Sequence, residues 1–315
     1  MTWADVASTP SRTVDVDGPV HYVDFGGDPD GPVIVCVHGL GGSHRNWLAV
    51  APRFAELGHV LALDLLGHGR TPAAGRVPDV DGHRRLLAGF LAAVVGRPAV
   101  LVGNSMGALV AALVAAEEPR SVSGLVLVDP ALPVRSLAGV HPQVVANFAV
   151  CAVPGLGEAF LAARRRRTTA QQSVLRVLRS CCTDVARVPA AVVAAHVALT
   201  EEVDRAGTDT AYLTSARSLA RRFVAPGATL AALERVDQPT VVLHGVRDRL
   251  VPLRAARAHV SAHPGWRLEV AADAGHVPML EVPGWTADAV TRWARGDGRL
   301  AFAAASAPPP PPDGR

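Results

Sequence analysis

The chain has 315 residues, of which 49% are hydrophobic and 19% are charged, and its formal net charge at pH 7 is +3. This balance predicts a globular protein with a substantial core and argues against general disorder. Nucleic-acid binding is not supported, because the net charge is small and no basic stripe is interleaved with aromatic residues. The chain also contains no lysine, which removes a Schiff-base or P-loop lysine from the candidate chemistry.

The four cysteines, Cys36, Cys151, Cys181 and Cys182, form neither a CxxC pair nor a disulfide framework. They favour a reducing compartment, and the N-terminus lacks the basic start and apolar core of a signal peptide, so a cytoplasmic location is expected. The stretch 99–116 is apolar enough to imitate a membrane span. It contains two glycines, and a buried strand followed by a buried helix accounts for it better. Membrane association is therefore not expected, and the oligomeric state is left open.

Apolar runs alternate with helical patterns over much of the chain. The run 20–25 alternates loosely and precedes a turn, which predicts an antiparallel edge strand. Buried strands are predicted at 33–37, 60–63, 99–102, 124–128, 240–243 and 267–270. Helical stretches at 81–95 and 108–118 separate some of them. This pattern predicts an α/β fold with a mostly parallel, doubly wound sheet and helices on both faces.

The alternation stops between residues 132 and 236, where alanine, valine, leucine and arginine predict several helices. We interpret this region, 132–236, as a helical cap inserted between two parts of one core, 1–131 and 237–297. A cap there would lie over the sheet edge that carries the active site, exclude water and shape the substrate pocket. Beyond the core, small residues and a run of prolines predict a disordered, proline-rich tail at 298–315.

The pentapeptide 103–107, Gly-Asn-Ser-Met-Gly, lies between a predicted strand and a predicted helix. A G-x-S-x-G sequence in this context is typical of a nucleophile elbow, in which Ser105 would project above the sheet edge. The two glycines leave room where the strand and helix backbones come close. A serine that only caps the helix is the competing interpretation, and the pentapeptide alone does not decide between them.

Candidate partners for the serine follow in the order that a triad needs. Asp248 lies on the loop after the strand at 240–243, and His276 lies on the loop after the strand at 267–270. The histidine would take the hydroxyl proton, and the aspartate would orient that histidine. Because loops after parallel strands gather at one edge of a sheet, we expect both side chains near Ser105.

A glycine-rich loop, 38–42 (His-Gly-Leu-Gly-Gly), follows the strand at 33–37. Such a loop can aim a backbone N–H at the substrate carbonyl, beside the N–H of the residue after the nucleophile. Leu40 and Met106 are therefore the two residues predicted to form an oxyanion hole with their amides.

Five motifs together resemble the α/β-hydrolase superfamily, in its serine-nucleophile, cap-containing, esterase- or lipase-like branch. They are 38–42, 64–69 (Asp-Leu-Leu-Gly-His-Gly), 103–107, 244–248 (His-Gly-Val-Arg-Asp) and 275–278 (Gly-His-Val-Pro). Their joint order is far more specific than any one motif. The resemblance implies a serine hydrolase that uses no cofactor. Its default substrate is a small carboxylic ester, which would be cleaved through an acyl-enzyme on Ser105.

In this scheme His276 is the base and Asp248 is the acid of the triad. Asp129 directly follows the strand at 124–128, where some relatives carry the triad acid. Asp248 is preferred, because a His-Gly pair and a Val-Pro step bracket it. No cluster of histidine, cysteine or carboxylate residues has metal-ligand spacing, so no metal is expected.

The elbow also resembles that of hydrolases that cleave carbon–carbon bonds in ring-fission products. Those relatives usually carry tryptophan after the catalytic histidine and a Gly-Pro-Gly style oxyanion loop, whereas this chain has Val277 and the sequence Leu-Gly-Gly at 40–42. Dehalogenases and epoxide hydrolases place aspartate at the elbow, and Ser105 argues against both. Thioesterase and haloperoxidase-like activities reuse the same triad and stay open. A non-enzymatic ligand receptor on this fold is the alternative from another class.

Other polar residues have structural interpretations. His38 and His244 each precede a glycine at a strand end, where an imidazole commonly ties down a turn. His68 belongs to a loop-shaping turn, and Asp64 would hold the loop after its strand. The run 164–167, four arginines, is interpreted as a solvated helix face or end rather than an anion or membrane site.

Overall fold

The computed structural model describes residues 10–133, 146 and 149–305. Within them, eight strands form one sheet. They are β1 (Ser11–Asp15), β2 (Pro19–Gly26), β3 (Val33–Val37), β4 (His59–Leu63), β5 (Ala99–Asn104), β6 (Val122–Val128), β7 (Thr240–Gly245) and β8 (Trp266–Ala271). Their order is β1-β2-β4-β3-β5-β6-β7-β8, antiparallel across β1, β2 and β4 and parallel elsewhere. The predicted mostly parallel sheet is confirmed.

Helices cover both faces of this sheet. They are α1 (Ala51–Phe54), α2 (Val80–Phe90), α3 (Met106–Glu117), α4 (Leu156–Arg167), α5 (Ala170–Cys181), α6 (Ala190–Glu202), α7 (Arg205–Val224), α8 (Gly227–Leu233), α9 (Leu253–Ala262), α10 (Pro278–Glu281), α11 (Pro283–Arg295) and α12 (Arg299–Ala305). Successive side chains of a strand point to opposite faces. Accordingly Val35 packs in the layer of α2, α3 and α9, while Ile34 and Cys36 pack in the layer of α1, α11 and α12.

The apolar stretch 99–116 forms β5 and most of α3. Every residue of α3 from Met106 to Ala116 is buried, because the helix lies between the sheet and neighbouring helices. The predicted pair of buried strand and buried helix therefore accounts for the stretch. None of the helices in the described ranges is both long and apolar enough to cross a membrane.

The edge of the sheet differs from the sequence prediction. The run predicted as an edge strand lies in β2, which pairs with both β1 and β4, so its predicted edge position is wrong. The edge strand on this side of the sheet is β1, whose residues are mostly polar and exposed. Backbone pairing with β2 and a few side-chain contacts, such as that between Oγ of Ser11 and Nε2 of His21 at 2.6 Å, hold it to the sheet. Such a strand carries little core-facing hydrophobic alternation that a sequence could reveal.

Helices α4 to α8 form an insertion between β6 and β7. Polar bonds join it to the core. The Arg70 guanidinium donates to the Glu202 carboxylate at 2.7 Å, and the Ser218 hydroxyl accepts the N–H of Val80 at 3.2 Å. A small separate apolar cluster, built from Cys151, Leu161 and Leu213, packs inside the insertion.

The predicted tail begins too early. Helix α12 lies within 298–315, the segment predicted to be disordered, and Ala301 and Phe302 are buried. The Phe302 ring packs edge-on against Trp293, with centroids 5.9 Å apart. The alanine-rich stretch favours a helix, and the contact of Phe302 with Trp293 stabilises this helix against the core although the surrounding sequence is of low complexity. The prediction is therefore wrong for 299–305, and residues 306–315 lie outside the described part.

Candidate active site

Ser105 lies at a sharp turn between β5 and α3. Its backbone has φ 55° and ψ −118°, a conformation that costs a serine about 1–3 kcal/mol, and its N–H donates to the carbonyl of Val128 at 2.9 Å. The flanking glycines make the turn sterically feasible. A Cβ on Gly103 would lie 2.6 Å from the backbone of Ala108, and one on Gly107 would lie 2.3 Å from a carbonyl oxygen of β3. The geometry is that of the predicted elbow.

The loop after β3 lies directly beside this turn. Strands β3 and β5 are parallel neighbours, and the sheet order reverses at this point, where crevices form in open α/β sheets. A Cβ on Gly39 would lie 3.0 Å from the Cβ of Ser105. Among the described residues, the backbone N–H groups of Leu40 and Met106 have no hydrogen-bond partner. Both predicted oxyanion donors are thus unused by the fold.

Asp248 and His276 form a hydrogen-bonded pair. Oδ2 of Asp248 lies 2.7 Å from Nδ1 of His276, and its Oδ1 accepts the N–H groups of Leu250 and Val251 at 2.7 and 3.0 Å. Burial alone would raise the pKa of Asp248, but the charge of His276 and the hydrogen bond from it lower that pKa below its ordinary value. The aspartate is therefore ionised and accepts a hydrogen bond from Nδ1–H, which leaves Nε2 of His276 as the basic nitrogen.

Asn104 connects the serine turn to the histidine loop. Its Nδ2 donates to the carbonyl of His276 and to the carbonyl of Val128, both at 3.1 Å, and the residue is 2% exposed. Sequence reasoning assigned this asparagine no role. The available signal was its position, since a buried amide at the end of an apolar strand must find hydrogen-bond partners.

Glu281 was also missed, and it fixes the loop that carries His276. Its buried carboxylate accepts the N–H of Gly275 at 2.8 Å and the N–H groups of residues 183–184, in the insertion, at 2.9 Å. The carbonyl of Cys181 accepts the N–H of His276 at 2.7 Å. The insertion is thereby bonded directly to the loop of the candidate base. A lone glutamate in an apolar run was the sequence signal for such bonding.

Asp129, the alternative acid, lies next to Asp248. Its side chain is fully buried, its φ is 43°, and its Oδ1 accepts the N–H of Gly245 at 2.9 Å. One oxygen of each aspartate and one ring nitrogen of His276 all lie within 4.8 Å of one another. Burial raises the pKa of Asp129 well above its ordinary value, and the charge of Asp248 raises it further. The structure therefore brings both candidate acids to the same site, with pKa values shifted in opposite directions.

His38 holds the loop after β3 in place. Its Nδ1 donates to the carbonyl of Gly39 at 2.8 Å, and its Nε2 accepts the N–H of Leu65 at 3.0 Å, so the ring is neutral. Burial lowers the pKa of His38 to about 4. His244 similarly donates from Nε2 to the carbonyl of Val251 at 3.0 Å. Both bonds agree with the structural roles predicted for these histidines.

A second buried cluster surrounds Asp64, below the loop after β4. Its carboxylate accepts Nδ1–H groups of His21 and His44 at 2.8 and 2.9 Å and backbone N–H groups of His44 and Arg70 at 2.7 and 2.9 Å. These three side chains could hold a metal ion, as could Asp129 with the Asp248–His276 pair. The four hydrogen bonds to the Asp64 carboxylate already explain why these side chains lie together without a metal ion. Sequence spacing did not reveal either cluster, because its members come from different loops.

The arginine run 164–167 forms the last turn of α4. Positive side chains there interact favourably with the helix dipole. Arg165 pairs with Asp209, and the guanidinium of Arg164 lies 5.7 Å from the ring centroid of Phe160. These contacts agree with the predicted helix end.

The chain matches a family model described as alpha/beta hydrolase family over residues 34–289. It belongs to this family. A pimeloyl-[acyl-carrier protein] methyl ester esterase of Aromatoleum aromaticum is 30% identical over 265 residues, which cover 80% of this chain and 94% of that protein. A haloalkane dehalogenase of Mesorhizobium japonicum is 32% identical over 161 residues, which cover 49% of this chain and only half of that protein.

A solved structure shares the same fold. Haloalkane dehalogenase DbeA from Bradyrhizobium elkani superposes with a TM-score of 0.77 at 23% identity, over 93% of this chain and 99% of that one. The predicted superfamily and fold are confirmed, and membership of the family supports hydrolase activity.

Proposed function

We propose that this hydrolase cleaves carboxylic esters through an acyl-enzyme on Ser105. The observation that carries the proposal is the hydrogen bond between Asp248 and His276 at the sheet edge where Ser105 occupies a strained elbow. An ionised, fully buried acid holds the imidazole with one nitrogen protonated and the other available as a base. The backbone N–H groups of Leu40 and Met106, which have no partner among the described residues, would supply the other requirement of acyl transfer, a site for the oxyanion.

The reaction uses the chain's own residues. Nε2 of His276 takes the proton of the Ser105 hydroxyl as the oxygen attacks the ester carbonyl, and the amides of Leu40 and Met106 bind the tetrahedral oxyanion. The imidazolium then gives its proton to the leaving alcohol. Water activated by the same histidine hydrolyses the acyl-enzyme and restores the serine. Asp248 stabilises the imidazolium in both halves of the cycle.

The choice of ester over alkyl halide rests on the nucleophile. A carboxylate that displaces halide forms an ester, which water can hydrolyse, whereas a serine hydroxyl would form an ether that the same base cannot cleave. Ser105 therefore suits an acyl substrate, although two of the relatives compared are dehalogenases. The esterase relative, whose alignment covers 94% of that protein, points in the same direction.

We propose further that residues 132–236 form a cap that selects the substrate, over a core made of 1–131 and 237–297. The contacts of Cys181 and Glu281 with the His276 loop support this position for the insertion. All three proposed triad members come from outside the insertion, so its expected contribution is water exclusion and pocket shape.

Fluorophosphonate labelling tests the proposal directly. A fluorophosphonate probe should label the wild-type protein at Ser105, and p-nitrophenyl esters of graded acyl length should be hydrolysed. The matched control is Ser121→Ala, since Ser121 lies at the opposite end of the sheet, before β6, and bonds only to its own turn. Labelling that survives Ser105→Ala, or a folded protein that neither labels nor hydrolyses any ester, would contradict the proposal.

A further inference from the structure

A second carboxyl group is buried against the proposed triad acid. Asp129 follows β6 and Asp248 follows β7, which is its parallel neighbour, and the N–H of Asp129 donates to the carbonyl of Leu243 in β7 at 2.8 Å. The two side chains are each 0% exposed. Their nearest oxygens fall within the same 4.8 Å group as a nitrogen of His276. The sheet therefore places two aspartates side by side in a water-poor site.

Two ionised carboxylates at this separation would repel each other strongly, because little water is present to screen them. The hydrogen-bond donors decide which one carries the charge. Asp248 accepts three, from Nδ1 of His276 and from two backbone N–H groups. Asp129 accepts one, from Gly245, and its Oδ2 is buried with no partner among the described residues. The charge therefore belongs on Asp248, and Oδ2 of Asp129 is the free position for a proton.

The neighbouring titratable groups provide no compensating cation for a second charge. Nε2 of His244 lies 3.6 Å from Asp129, but it donates to a backbone carbonyl, and burial lowers the pKa of this histidine. Burial raises the pKa of the Cys181 thiol, on the insertion side, to about 12. Glu281 adds a negative charge, which Arg187 faces at 3.6 Å. His276 is already paired with Asp248.

We propose that Asp129 is protonated at Oδ2 and donates this proton in a hydrogen bond to the Asp248 carboxylate, as a positioning residue for the triad. This inference rests on the proposed function for its catalytic consequence. The proton stays on the pair, so the net charge of the site remains −1 when His276 is neutral. By sharing the charge of Asp248, the neutral acid limits how strongly Asp248 stabilises protonated His276. It also gives the Asp248 carboxylate one more hydrogen-bond donor, in addition to His276 and the two backbone N–H groups.

Asp129→Asn is the decisive variant, because an asparagine amide keeps one donor and one acceptor without a charge. If Asp129 is protonated, Asp129→Asn should keep kcat/KM within about three-fold of wild type, and the acid limb of its pH profile should not move. If Asp129 were ionised, Asp129→Asn would remove a negative charge beside His276. The acid limb would then move to lower pH, and that result would overturn the proposal.

Asp129→Ala removes the donor altogether. The acid limb should then move to higher pH, because Asp248 regains its full charge and favours protonated His276. A residue that only braced the backbone would reduce stability or kcat without moving the limb. Placing alanine at the positive φ of Asp129 has a stability cost of its own. Asp17→Ala is the control for that cost, since Asp17 is exposed and has a similar φ of 51°.

An infrared measurement separates this proposal from the proposed function. In a Ser105→Ala background, which requires no activity, the difference spectrum between Asp129 and Asp129→Asn proteins at neutral pH should contain the carbonyl stretch of a protonated carboxylic acid. A difference spectrum that contains only carboxylate bands would place a charge on Asp129 and overturn the inference. The acid band, together with a folded wild-type protein that hydrolyses no ester, would support the proton and reject the proposed reaction.

Discussion

The sheet core and the helical insertion differ in how completely their strands and helices are buried. In β3, β5 and β7 every residue is buried, and α3 is buried on all sides except its last residue, so apolar packing fixes the strand ends to which the site is attached. The insertion is less completely buried, with two buried residues in each of α4, α5 and α6. It meets the core through polar bonds, such as those of Glu202 and Ser218, and through apolar residues such as Val192 and Leu219. A region fixed by close packing on all sides suits residues that need exact placement, whereas lower burial leaves the side chains of the insertion freer to vary.

The two regions meet at the loop of His276. Glu281 bonds to the backbone of this loop and of the insertion with one carboxylate, and the carbonyl of Cys181 bonds to the histidine itself. Experiments can therefore test whether the core carries the chemistry and the insertion shapes access to it. We expect the effects of substitutions on activity or stability to decrease from the triad outward.

Ser105→Ala should have the largest effect. Loss of the nucleophile in another serine hydrolase costs on the order of 10⁶ in turnover, and the same order is expected here if the core supplies the reaction. Ester hydrolysis and thermal unfolding should be measured together, with Ser121→Ala as the control. Alanine lacks the nucleophilic oxygen but keeps the elbow backbone, so the variant should stay folded. Retention of more than a small fraction of wild-type turnover would show that another group is the nucleophile.

Asp248→Asn should come next, with a loss on the order of 10⁴, because the amide favours the wrong tautomer of His276. Asp129→Asn should cost no more than about three-fold, since Asp129 is expected to be neutral already. Side-by-side kinetics on one p-nitrophenyl ester would compare the two. The opposite ranking would move the triad acid from the end of β7 to the end of β6.

Much of the core could be predicted because its signals are local. Continuous apolar runs mark strands that are buried on both faces, and the elbow and the loop of Asp248 follow such strands directly. The loop of His276 follows β8, which is only partly buried. The Asp129–Asp248 pair could not be predicted in the same way. Its geometry depends on β6 lying beside β7, and the whole insertion separates these strands in the sequence.

Other features could not be predicted because their contact partners are distant in the sequence or are backbone groups that every residue type offers. Strand β1 is defined mainly by its pairing with β2, and α12 packs through Ala301 and the contact of Phe302 with Trp293. The roles of Asn104 and Glu281 depend on backbone groups, and any residue type offers the same N–H and carbonyl. A sequence reveals that such buried polar side chains need partners, but it does not reveal which backbone groups supply them.

Asp64→Asn should destabilise the core by about 3–5 kcal/mol at neutral pH, because it leaves buried donors of His21 and His44 without a carboxylate. Burial would raise the pKa of Asp64, but the charge of His44 and the hydrogen bonds from both histidines lower it well below its ordinary value. A lowered folded-state pKa contributes stability that is complete above the unfolded value, about 3.9, and is lost as the pH falls through the folded value.

Denaturant unfolding across pH would check this sign. The stability gap between wild type and Asp64→Asn should be largest near neutral pH and shrink below about pH 4. Asp288→Asn is the matched control, since Asp288 is 55% exposed and pairs with a surface arginine. A gap that widened in acid, or a loss no larger than that of the control, would contradict the stabilising role of the Asp64 cluster.

Tyr212 in the insertion should have the smallest effect, and it should act on substrate choice rather than on chemistry. A Cβ on Gly41 would lie 3.3 Å from its ring, so the ring packs against the loop that carries Leu40. Tyr212→Ala should open space there, and each buried methylene contributes roughly 0.8 kcal/mol, so the preference for longer acyl chains should rise a few-fold per carbon. Tyr212→Phe, which keeps the ring, and Val177→Ala, at an exposed position of the insertion, should keep the wild-type profile. Fluorophosphonate labelling of Ser105 should persist in all three. If folded Tyr212→Ala left kcat/KM unchanged across the ester series, or abolished labelling as Ser105→Ala does, the insertion would not be a selector separate from the catalytic core.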